Sequence, residues 1–406
     1  MSREQASTMP PPVCLRKAQF GSRRILPFLL LAQVTVVLVY IRSAFHFSNT
    51  DQETNDAANP SKTLLSTVNG WQADNSREIV FFLIICERTA ASNKDKEDIK
   101  TSIDRQLRQA AVLFKSAVAL STSIIRFVVV SDTEKLYHEV VSTTAKWPAR
   151  YKDQIRFQWR EVWYPPDRQD MRTMFRLCAT ERLFLPDMFP EIDAAIYVDT
   201  DLVFLESPDH LWDMFDKFDQ VQLAAMAPCL YHYGTKLAKV PYYGKTGLNA
   251  GVMHMNLTRM KHFPDGGWIQ ANMKVFNKYK KLINLADQDI LNILFHKYPK
   301  LLYDVGCEWN FRKFQCMPEN SCPAVATKGV SLLHGNAVSF FSDQELKLKA
   351  VFDAWEEYEL GSPLSQLLVQ LRQKLKNVPP QGLGTKCTRL PNIDAILTRQ
   401  LEKQIV

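Results

Sequence analysis

Two aspartates with one residue between them close an apolar stretch of the chain, "AAIYVDTDLVFL" at residues 194–205. Side chains alternate along an extended strand, so Asp199 and Asp201 are expected on one side of it and Thr200 on the other. Facing carboxylates repel each other unless a cation joins them, and Mg²⁺ and Mn²⁺ both favour carboxylate oxygens. The pair therefore predicts a divalent-cation site, with two aspartates that end a strand through turn hydrogen bonds as the alternative.

A later apolar stretch, "LLHGN" at residues 332–336, repeats this design. It ends in a potential ligand, His334, and Gly335 would let the backbone come close to a phosphate. A single histidine in this position is also compatible with a structural role. Together with the two aspartates, His334 predicts two oxygen ligands and one nitrogen ligand, a set that suits Mn²⁺ better than Mg²⁺.

Two further segments have residues suited to ligand binding. In "GLNAGVMHMN", residues 247–256, two glycines bracket Asn249 and Ala250 before a buried strand, which allows a ligand close to the backbone; a plain turn is the alternative. "ADQDILN", residues 286–292, begins a helix with acidic residues, which are also expected there as caps.

The elements that must position these residues alternate between strands and helices. Continuous apolar runs predict strands at 78–85, 125–131, 155–162 and 194–198, and apolar spacings of three and four predict helices at 99–119 and 173–185. This pattern is typical of an α/β fold with a mostly parallel sheet flanked by helices on both faces. Ligands bind such sheets at the carboxyl ends of the strands, where Asp199 lies.

The later part of the chain continues the same pattern. Strands are expected at 251–257 and 331–335, and a helix at 287–299. A further helix begins at Ser362-Pro363, carries leucines on one face and stops at Pro379-Pro380. We expect this helix to pack on the main domain.

The N-terminal part predicts a membrane anchor. Residues 25–41, "ILPFLLLAQVTVVLVYI", carry no charge and would span about 25 Å as a helix, which suits a thin early-secretory membrane. The residues before this segment are mostly basic, so the rest of the chain is expected in the lumen. A cleaved signal peptide is the alternative, but the apolar segment is longer than usual and no clear cleavage site follows it.

The composition and the cysteines indicate the class of protein and the kinds of site it can contain. The 406 residues are 46% hydrophobic and 23% charged, as in globular proteins, and the net charge of +7 is scattered without a basic stripe, which argues against nucleic-acid binding. Seven cysteines follow the anchor, so at least one must be free or bonded to another chain. The spacing of Cys307, Cys316 and Cys322 favours a disulfide over a zinc site.

Five segments in this order make the chain resemble glycosyltransferase family 8, and within it most closely the glucoside xylosyltransferases: "YVDTDLVFL", "GKTGLNAGVMHMNLTRM", "ADQDILNILF", "CEWNFRKFQC" and "LLHGN". The resemblance covers roughly residues 77–350. With the anchor, it gives the following expected organisation: a cytoplasmic tail at 1–24, a transmembrane signal-anchor at 25–41, a luminal stem at 42–76, a GT-A glycosyltransferase domain at 77–350 and a C-terminal helical extension at 351–406.

The resemblance implies an activity and a location. Glucoside xylosyltransferases are single-pass type II proteins of the Golgi or endoplasmic reticulum membrane, with a luminal catalytic domain. They transfer xylose from UDP-xylose, with retention of configuration, to O-linked glucose on EGF-like repeats. The alternatives are a family 8 enzyme that uses UDP-glucose or UDP-galactose, and a luminal binding protein that has lost turnover.

The resemblance also implies roles for particular residues. Mn²⁺ would be held by Asp199, Asp201 and His334, and Gln288 and Asp287 would be the catalytic residues, with Gln288 beneath the donor sugar. Trp309 and Asn310 would lie toward the acceptor. The UDP-sugar would be bound by Ile84, Cys86, Arg182, Asp199, Thr200, Asp201, Asn249, Ala250, Gly251, Asp287, Gln288, His334, Gly335 and Asn336.

The chain departs from the family in two places. After "HGN" the family commonly has a basic residue near the diphosphate, whereas this chain has no lysine or arginine until Lys347. Arg182 is the candidate substitute, since a cationic donor near the diphosphate stabilises its charge. The loop after the first strand is also enlarged, by "RTAASNKDKED" at residues 88–98.

Overall fold

The computed structural model describes residues 74–87, 96–174, 178–236, 238–317, 322–343, 345–379 and 386–405. The expected cytoplasmic tail, the signal-anchor and nearly all of the stem lie outside these ranges, as does most of the enlarged loop. Among the residues described, no helix has the length and apolar character needed to cross a membrane.

Seven strands form one central sheet and two strands form a small second sheet. The strands are β1 Asp74–Ile85, β2 Ser123–Ser131, β3 Ile155–Glu161, β4 Ala194–Val198, β5 Leu202–Phe204, β6 Ala224–Pro228, β7 Leu248–Asn256, β8 Leu302–Asp304 and β9 Leu332–His334. The order in the central sheet is β3-β2-β1-β4-β7-β6-β8, and β5 pairs with β9 in the second sheet. All neighbours in the central sheet are parallel except β7, which runs antiparallel to β4 and β6.

The helices alternate with the strands along the chain, and the last three follow the last strand. They are α1 Lys96–Leu120, α2 Glu134–Ser142, α3 Ala149–Gln154, α4 Gln169–Met174, α5 Leu185–Met188, α6 Pro208–Trp212, α7 Leu257–Lys261, α8 Trp268–Tyr279, α9 Ala286–Lys297, α10 Ala324–Lys328, α11 Leu346–Glu357, α12 Leu364–Asn377 and α13 Ile393–Lys403. Phe81 and Leu83 of β1 lie in one buried apolar cluster and Val80 and Phe82 in another. A strand buried on both faces confirms the predicted sheet with apolar packing on either side.

The reversed strand β7 brings two predicted segments together. Val198 at the end of β4 pairs with Val252 in the middle of β7. The amide of Asp199 then donates a hydrogen bond to the carbonyl of Gly251 at 2.9 Å. Asn249 and Ala250 therefore lie beside the point where β4 ends.

The second sheet brings His334 to the same point. After Asp201 the chain leaves the central sheet as β5, and Leu202 pairs directly with His334 in β9. The amide of Gly335 donates to the carbonyl of Asp201 at 2.7 Å. The antiparallel pairing thus places the histidine opposite the start of β5.

The continuous helix predicted over 173–185 is wrong. Helix α4 is described as far as Met174, and Cys178 has a left-handed backbone with a φ of 69°, which a continuous helix cannot accommodate. Cys178 is bonded to Cys86 at the end of β1, and the chain resumes as a 3₁₀ helix at Glu181–Phe184. The apolar residues at helical spacing therefore belong to separate short helical segments on the two sides of Cys178.

The cysteines behave as the sequence predicts. Two of the described disulfides, Cys307–Cys322 and Cys316–Cys387, lie in and around the loop where a disulfide was favoured over zinc. Cys229 is buried and free, which is the thiol that an odd number requires.

The C-terminal helices belong to the same core as the sheet. The expected boundary at residue 350 falls inside α11, and Leu367 and Leu371 of α12 and Leu397 of α13 are buried in the cluster that contains Phe81. The predicted leucine face therefore packs on the main domain.

Candidate active site

Three potential ligand atoms converge where β4 ends. Nε2 of His334 lies 3.6 Å from Oδ2 of Asp199 and 3.3 Å from Oδ1 of Asp201, and all three residues offer atoms within 4.8 Å of one another. The sequence prediction that these residues meet is confirmed. Cys307, Glu308 and Cys322 also lie within reach of one another, but both of their sulfurs are used in a disulfide.

The space around these atoms fits a divalent cation. Gly251 faces them, and a Cβ added there would overlap Cε1 of His334 and lie 3.0 Å from Oδ2 of Asp199. The missing side chain leaves room beside the ligand atoms. Two carboxylates and one imidazole form a donor set that Mn²⁺ and related divalent ions accept.

Arg182 is buried against this group. Its guanidinium donates to the carbonyl of Ala250, and its Nη2 lies 3.3 Å from Oδ1 of Asp199. Its Nε lies 3.4 Å from Oδ2 of Asp287, and its Cζ lies 3.7 Å from the centre of the Tyr197 ring. Arg182 thus connects the cation site to the start of α9.

The charges of the site leave a negative excess. Burial raises the pKa of Asp287 to about 6, and the neighbouring Arg182 opposes this rise. The site thus holds three carboxyl groups, those of Asp199, Asp201 and Asp287, against the guanidinium of Arg182 and the imidazole of His334. A divalent cation would offset this excess of acidic groups.

Tyr197 is a site residue that sequence reasoning missed. Its hydroxyl donates to Oδ1 of Asp199 at 2.8 Å, while Oδ2 faces His334. Burial raises the pKa of Tyr197, so the hydroxyl keeps its proton as a donor. The available signal is its position two residues before Asp199, which places both side chains on one side of the strand.

A chain of side-chain hydrogen bonds runs from His334 away from the cation site. Nδ1 of His334 lies 2.8 Å from Oδ1 of Asn310, and Nδ2 of Asn310 donates to Oδ1 of Asn249 at 2.8 Å. Nδ2 of Asn249 donates to Oε1 of Gln288 at 2.9 Å. The structure therefore brings the predicted donor residues of β7 and α9 together with the cation ligands.

The remaining residues predicted to bind the UDP-sugar include neighbours in sequence of the predicted cation ligands. Thr200 and Asn336 are half-buried, and Gly335, which follows His334, is buried. Ile84 is half-buried at the end of β1 and remains compatible with a uridine contact. The sulfur of Cys86 is committed to its disulfide.

Trp309 and Asn310, which the resemblance places toward the acceptor, are both buried in the structure. Trp309 is only 5% exposed and packs in the apolar core. Asn310 is 0% exposed, and both ends of its amide are hydrogen-bonded inside the protein. These side chains offer an acceptor sugar almost no surface, because the part of the Cys307–Cys322 loop that contains them is folded into the core.

The first lysine after His334 does not reach the site. Nζ of Lys347 lies 2.6 Å from Oδ1 of Asp394 and donates to the carbonyl of Leu375 at 2.7 Å. These contacts hold Lys347 among the C-terminal helices. The positively charged side chain beside a predicted metal ligand is instead that of Arg182, which contacts Asp199.

Comparisons with known proteins show which family the sequence matches. A family model described as "Glycosyl transferase family 8" matches residues 89–336. Glucoside xylosyltransferase 2 of Xenopus laevis is 33% identical over 312 residues, which cover 73% of this chain and 72% of that protein. Glucoside xylosyltransferase 1 of Danio rerio is 36% identical over 272 residues, 63% of this chain and 66% of that protein.

A solved structure has the same fold. The galactosyltransferase LgtC, in complex with donor and acceptor sugar analogues, matches with a TM-score of 0.50 and 18% identity. The match covers 73% of this chain and 100% of that one. At this identity the likeness concerns the fold alone.

Proposed function

The chain belongs to glycosyltransferase family 8, and from that premise we propose that it transfers xylose from UDP-xylose, with retention, to O-linked glucose on EGF-like repeats. The observation that carries a transferase function is the group Asp199, Asp201 and His334 at the end of β4, beside Gln288 and its partners. The choice of xylose and glucose rests on the names of the relatives.

The cation site supports the departure of a nucleoside diphosphate. A divalent cation, Mn²⁺ in this proposal, supplies a Lewis acid that offsets the charge of the leaving diphosphate. Asp199, Asp201 and His334 would hold it. Arg182 and Tyr197 both donate to Oδ1 of Asp199, so Oδ2, which faces His334, is the oxygen left free to serve as a ligand.

Gln288 favours a front-face route to retention. Its side chain is an amide whose Oε1 accepts hydrogen bonds from Asn249 and from the amide of Ala250, so it is no carboxylate nucleophile. The acceptor hydroxyl oxygen would bond to the anomeric carbon on the face from which UDP departs. A diphosphate oxygen would take the acceptor proton, and Asp287 would keep the charge of Arg182 balanced.

Two other functions keep a specific observation in their favour. A family 8 transferase that uses UDP-glucose or UDP-galactose is the first alternative, because the family model that matches residues 89–336 specifies no donor sugar. A binding protein without turnover would be compatible with the lack of a basic residue after His334, since Lys347 is engaged elsewhere. The complete cation site argues against this second alternative.

We propose that the protein is a single-pass type II protein of the Golgi or endoplasmic reticulum membrane with a luminal catalytic domain. The uncharged segment 25–41 and the basic residues before it support this orientation. Three disulfides among the described residues support it independently, because such bonds persist in oxidising compartments.

Donor selection tests the proposal. The purified full-length protein is incubated with Mn²⁺ and, separately, UDP-xylose, UDP-glucose or UDP-galactose, and UDP release is measured with and without an O-glucosylated EGF-repeat peptide. We expect release from UDP-xylose that depends on the peptide and falls at least about a hundredfold in Asp201→Asn. Two results would overturn the assignment. One is UDP release that depends on the peptide but occurs only with UDP-glucose or UDP-galactose. The other is UDP release that EDTA does not reduce.

A further inference from the structure

We propose that Asn310 is a positioning residue that selects the cation-binding tautomer of His334 and links it to Gln288. The inference deepens the proposed function and rests on its assignment of the cation site. Asn310 is fully buried, and its side-chain amide is hydrogen-bonded to His334 and Asn249. It would act through the imidazole of His334 on one side and through Asn249 on the other.

The backbone holds Asn310 firmly in place. It is the last residue of the 3₁₀ helix Cys307–Asn310. The next residue, Phe311, makes two backbone hydrogen bonds to β9. Its amide donates to the carbonyl of Leu332 at 3.0 Å, and its carbonyl accepts from the amide of His334 at 2.8 Å. Because Asn310 is fully buried, its amide must find its hydrogen-bond partners inside the protein.

Backbone donors determine which way the side-chain amides point. The amide of Gly251 lies 3.2 Å from the atom of Asn249 that faces Asn310, and a backbone N–H can only donate. That atom must therefore be Oδ1, and Nδ2 of Asn249 points to Gln288. At Gln288 the amide of Ala250 selects Oε1 in the same way, at 3.2 Å.

The orientation of Asn249 settles that of Asn310 and His334 in turn. Since Oδ1 of Asn249 accepts, the group of Asn310 that faces it must be the NH₂, and Oδ1 of Asn310 faces His334. An acceptor there requires a proton on Nδ1 of His334. The neutral imidazole then has its lone pair on Nε2, the nitrogen that faces Asp199 and Asp201.

This arrangement prepares the histidine as a ligand. A neutral imidazole binds a metal through its unprotonated nitrogen, and a hydrogen bond at the other nitrogen fixes the tautomer and the ring orientation. The opposite tautomer would face Oδ1 of Asn310 with a lone pair, and it could be accommodated only by turning the amides of both Asn310 and Asn249. That turn would break the bonds to Gly251 and Gln288.

The test measures the tautomer without cation, donor or acceptor. The ¹⁵N shifts of the ring nitrogens of His334, assigned by their loss in His334→Gln, report which nitrogen carries the proton in the cation-free full-length protein. They are recorded as the pH is raised until the ring is neutral, because the carboxyl groups of Asp199 and Asp201 beside Nε2 favour a proton on both nitrogens. Binding of Mn²⁺ alone is then measured by the EPR signal of the free ion. Neither readout requires xylose transfer, so a failure of this inference is distinct from a failure of the proposed function.

We expect the Nδ1-protonated form in the wild type and a mixture of tautomers in Asn310→Ala, with Mn²⁺ binding weakened by about 10–100-fold. Asn310→Asp keeps an acceptor for Nδ1 and should keep the tautomer, although it loses the donor to Asn249. The matched control is Asn272→Ala, another fully buried asparagine, which donates to the carbonyl of Trp268 in α8. It should lower the melting temperature without changing the tautomer or Mn²⁺ binding.

Two results would overturn the inference. One is a proton on Nε2 in the neutral wild-type imidazole. The other is wild-type Mn²⁺ affinity in an Asn310→Ala variant that melts no lower than Asn272→Ala. If Asn310→Ala does not fold, Asn310→Asp decides, and a tautomer changed from that of the wild type in this variant would contradict the proposal.

Discussion

At the scale of single residues, the cation site depends on Gly251, whose missing side chain leaves the space beside the ligand atoms. Gly251→Ala would push a methyl group into the imidazole of His334 and toward Asp199. We expect Mn²⁺ affinity to fall by about 10–100-fold, the range seen when the surroundings of a metal ligand are disturbed. Titration of the variant with Mn²⁺ measures this, and circular dichroism checks that β7 still forms. Unchanged affinity in a folded variant would show that the cation is held elsewhere.

A second residue-scale effect concerns the buried carboxyl of Glu181. Its Oε1 accepts a hydrogen bond from the amide of Trp163 at 2.7 Å, and burial raises its pKa to about 8. The folded state then holds a proton that the unfolded chain releases above its ordinary pKa near 4.5. The stability that this proton contributes is present at low pH and is lost as the pH rises toward 8.

We therefore predict that Glu181→Gln removes a pH-dependent loss of stability. Between pH about 5 and 8 the wild-type free energy of unfolding should fall with a slope approaching 1.4 kcal/mol per pH unit from this group, and the variant should lack that slope. Urea unfolding at several pH values measures it. Glu161→Gln, at an exposed position in β3, is the control and should keep the wild-type slope. Equal slopes in wild type and Glu181→Gln would contradict the assignment.

At the scale of elements, the sequence predicts the strands around the site better than the way they pair. The apolar runs that end at Asp199 and His334 identify two strand ends and two ligands. Only the antiparallel pairing of β5 with β9 makes these ends meet, and pairing between strands so distant in sequence has no local signal. The helix expected over 173–185 fails for a related reason, since the bond from Cys178 to Cys86 is a contact across the fold.

The role of Asn310 lies beyond sequence reasoning for the same reason. Its neighbour Trp309 suggested an acceptor surface, but the loop containing both is folded inward. Its hydrogen-bond partners, His334 and Asn249, lie on the strands β9 and β7, both distant from it in sequence or pairing. By contrast, Asp199 and Asp201 are found from spacing alone because both belong to one extended segment.

The disulfide Cys316–Cys387 links the segment between α12 and α13 to the loop that follows Asn310. It closes a separation of 71 residues. Replacing both cysteines with alanine should lower the free energy of unfolding by about 2–5 kcal/mol, because the unfolded chain is no longer restrained. Guanidinium unfolding of the oxidised protein measures the loss, with Cys229→Ala as a control that removes a thiol but no bond. Stability equal to that of the control would show that packing of α11, α12 and α13 suffices.

At the scale of the whole molecule, the proposed topology predicts where the folded domain lies. In microsomes from cells that express the full-length protein, added protease should digest the domain only after detergent opens the membrane. The reason is that the basic residues before segment 25–41 retain the N-terminus in the cytosol. Digestion without detergent, while a luminal marker in the same microsomes stays intact, would place the domain on the cytosolic side.

The central claim is the transfer of one xylose to a glucosylated protein, and the mass of the product tests it most directly. An O-glucosylated EGF repeat is incubated with UDP-xylose, Mn²⁺ and the full-length protein, and its mass is measured beside a reaction with Asp199→Asn. We predict a gain of one pentose on the glucose, absent with the variant and absent on a repeat that lacks glucose. A repeat that stays unchanged with UDP-xylose but gains a hexose from another UDP-sugar would contradict the account.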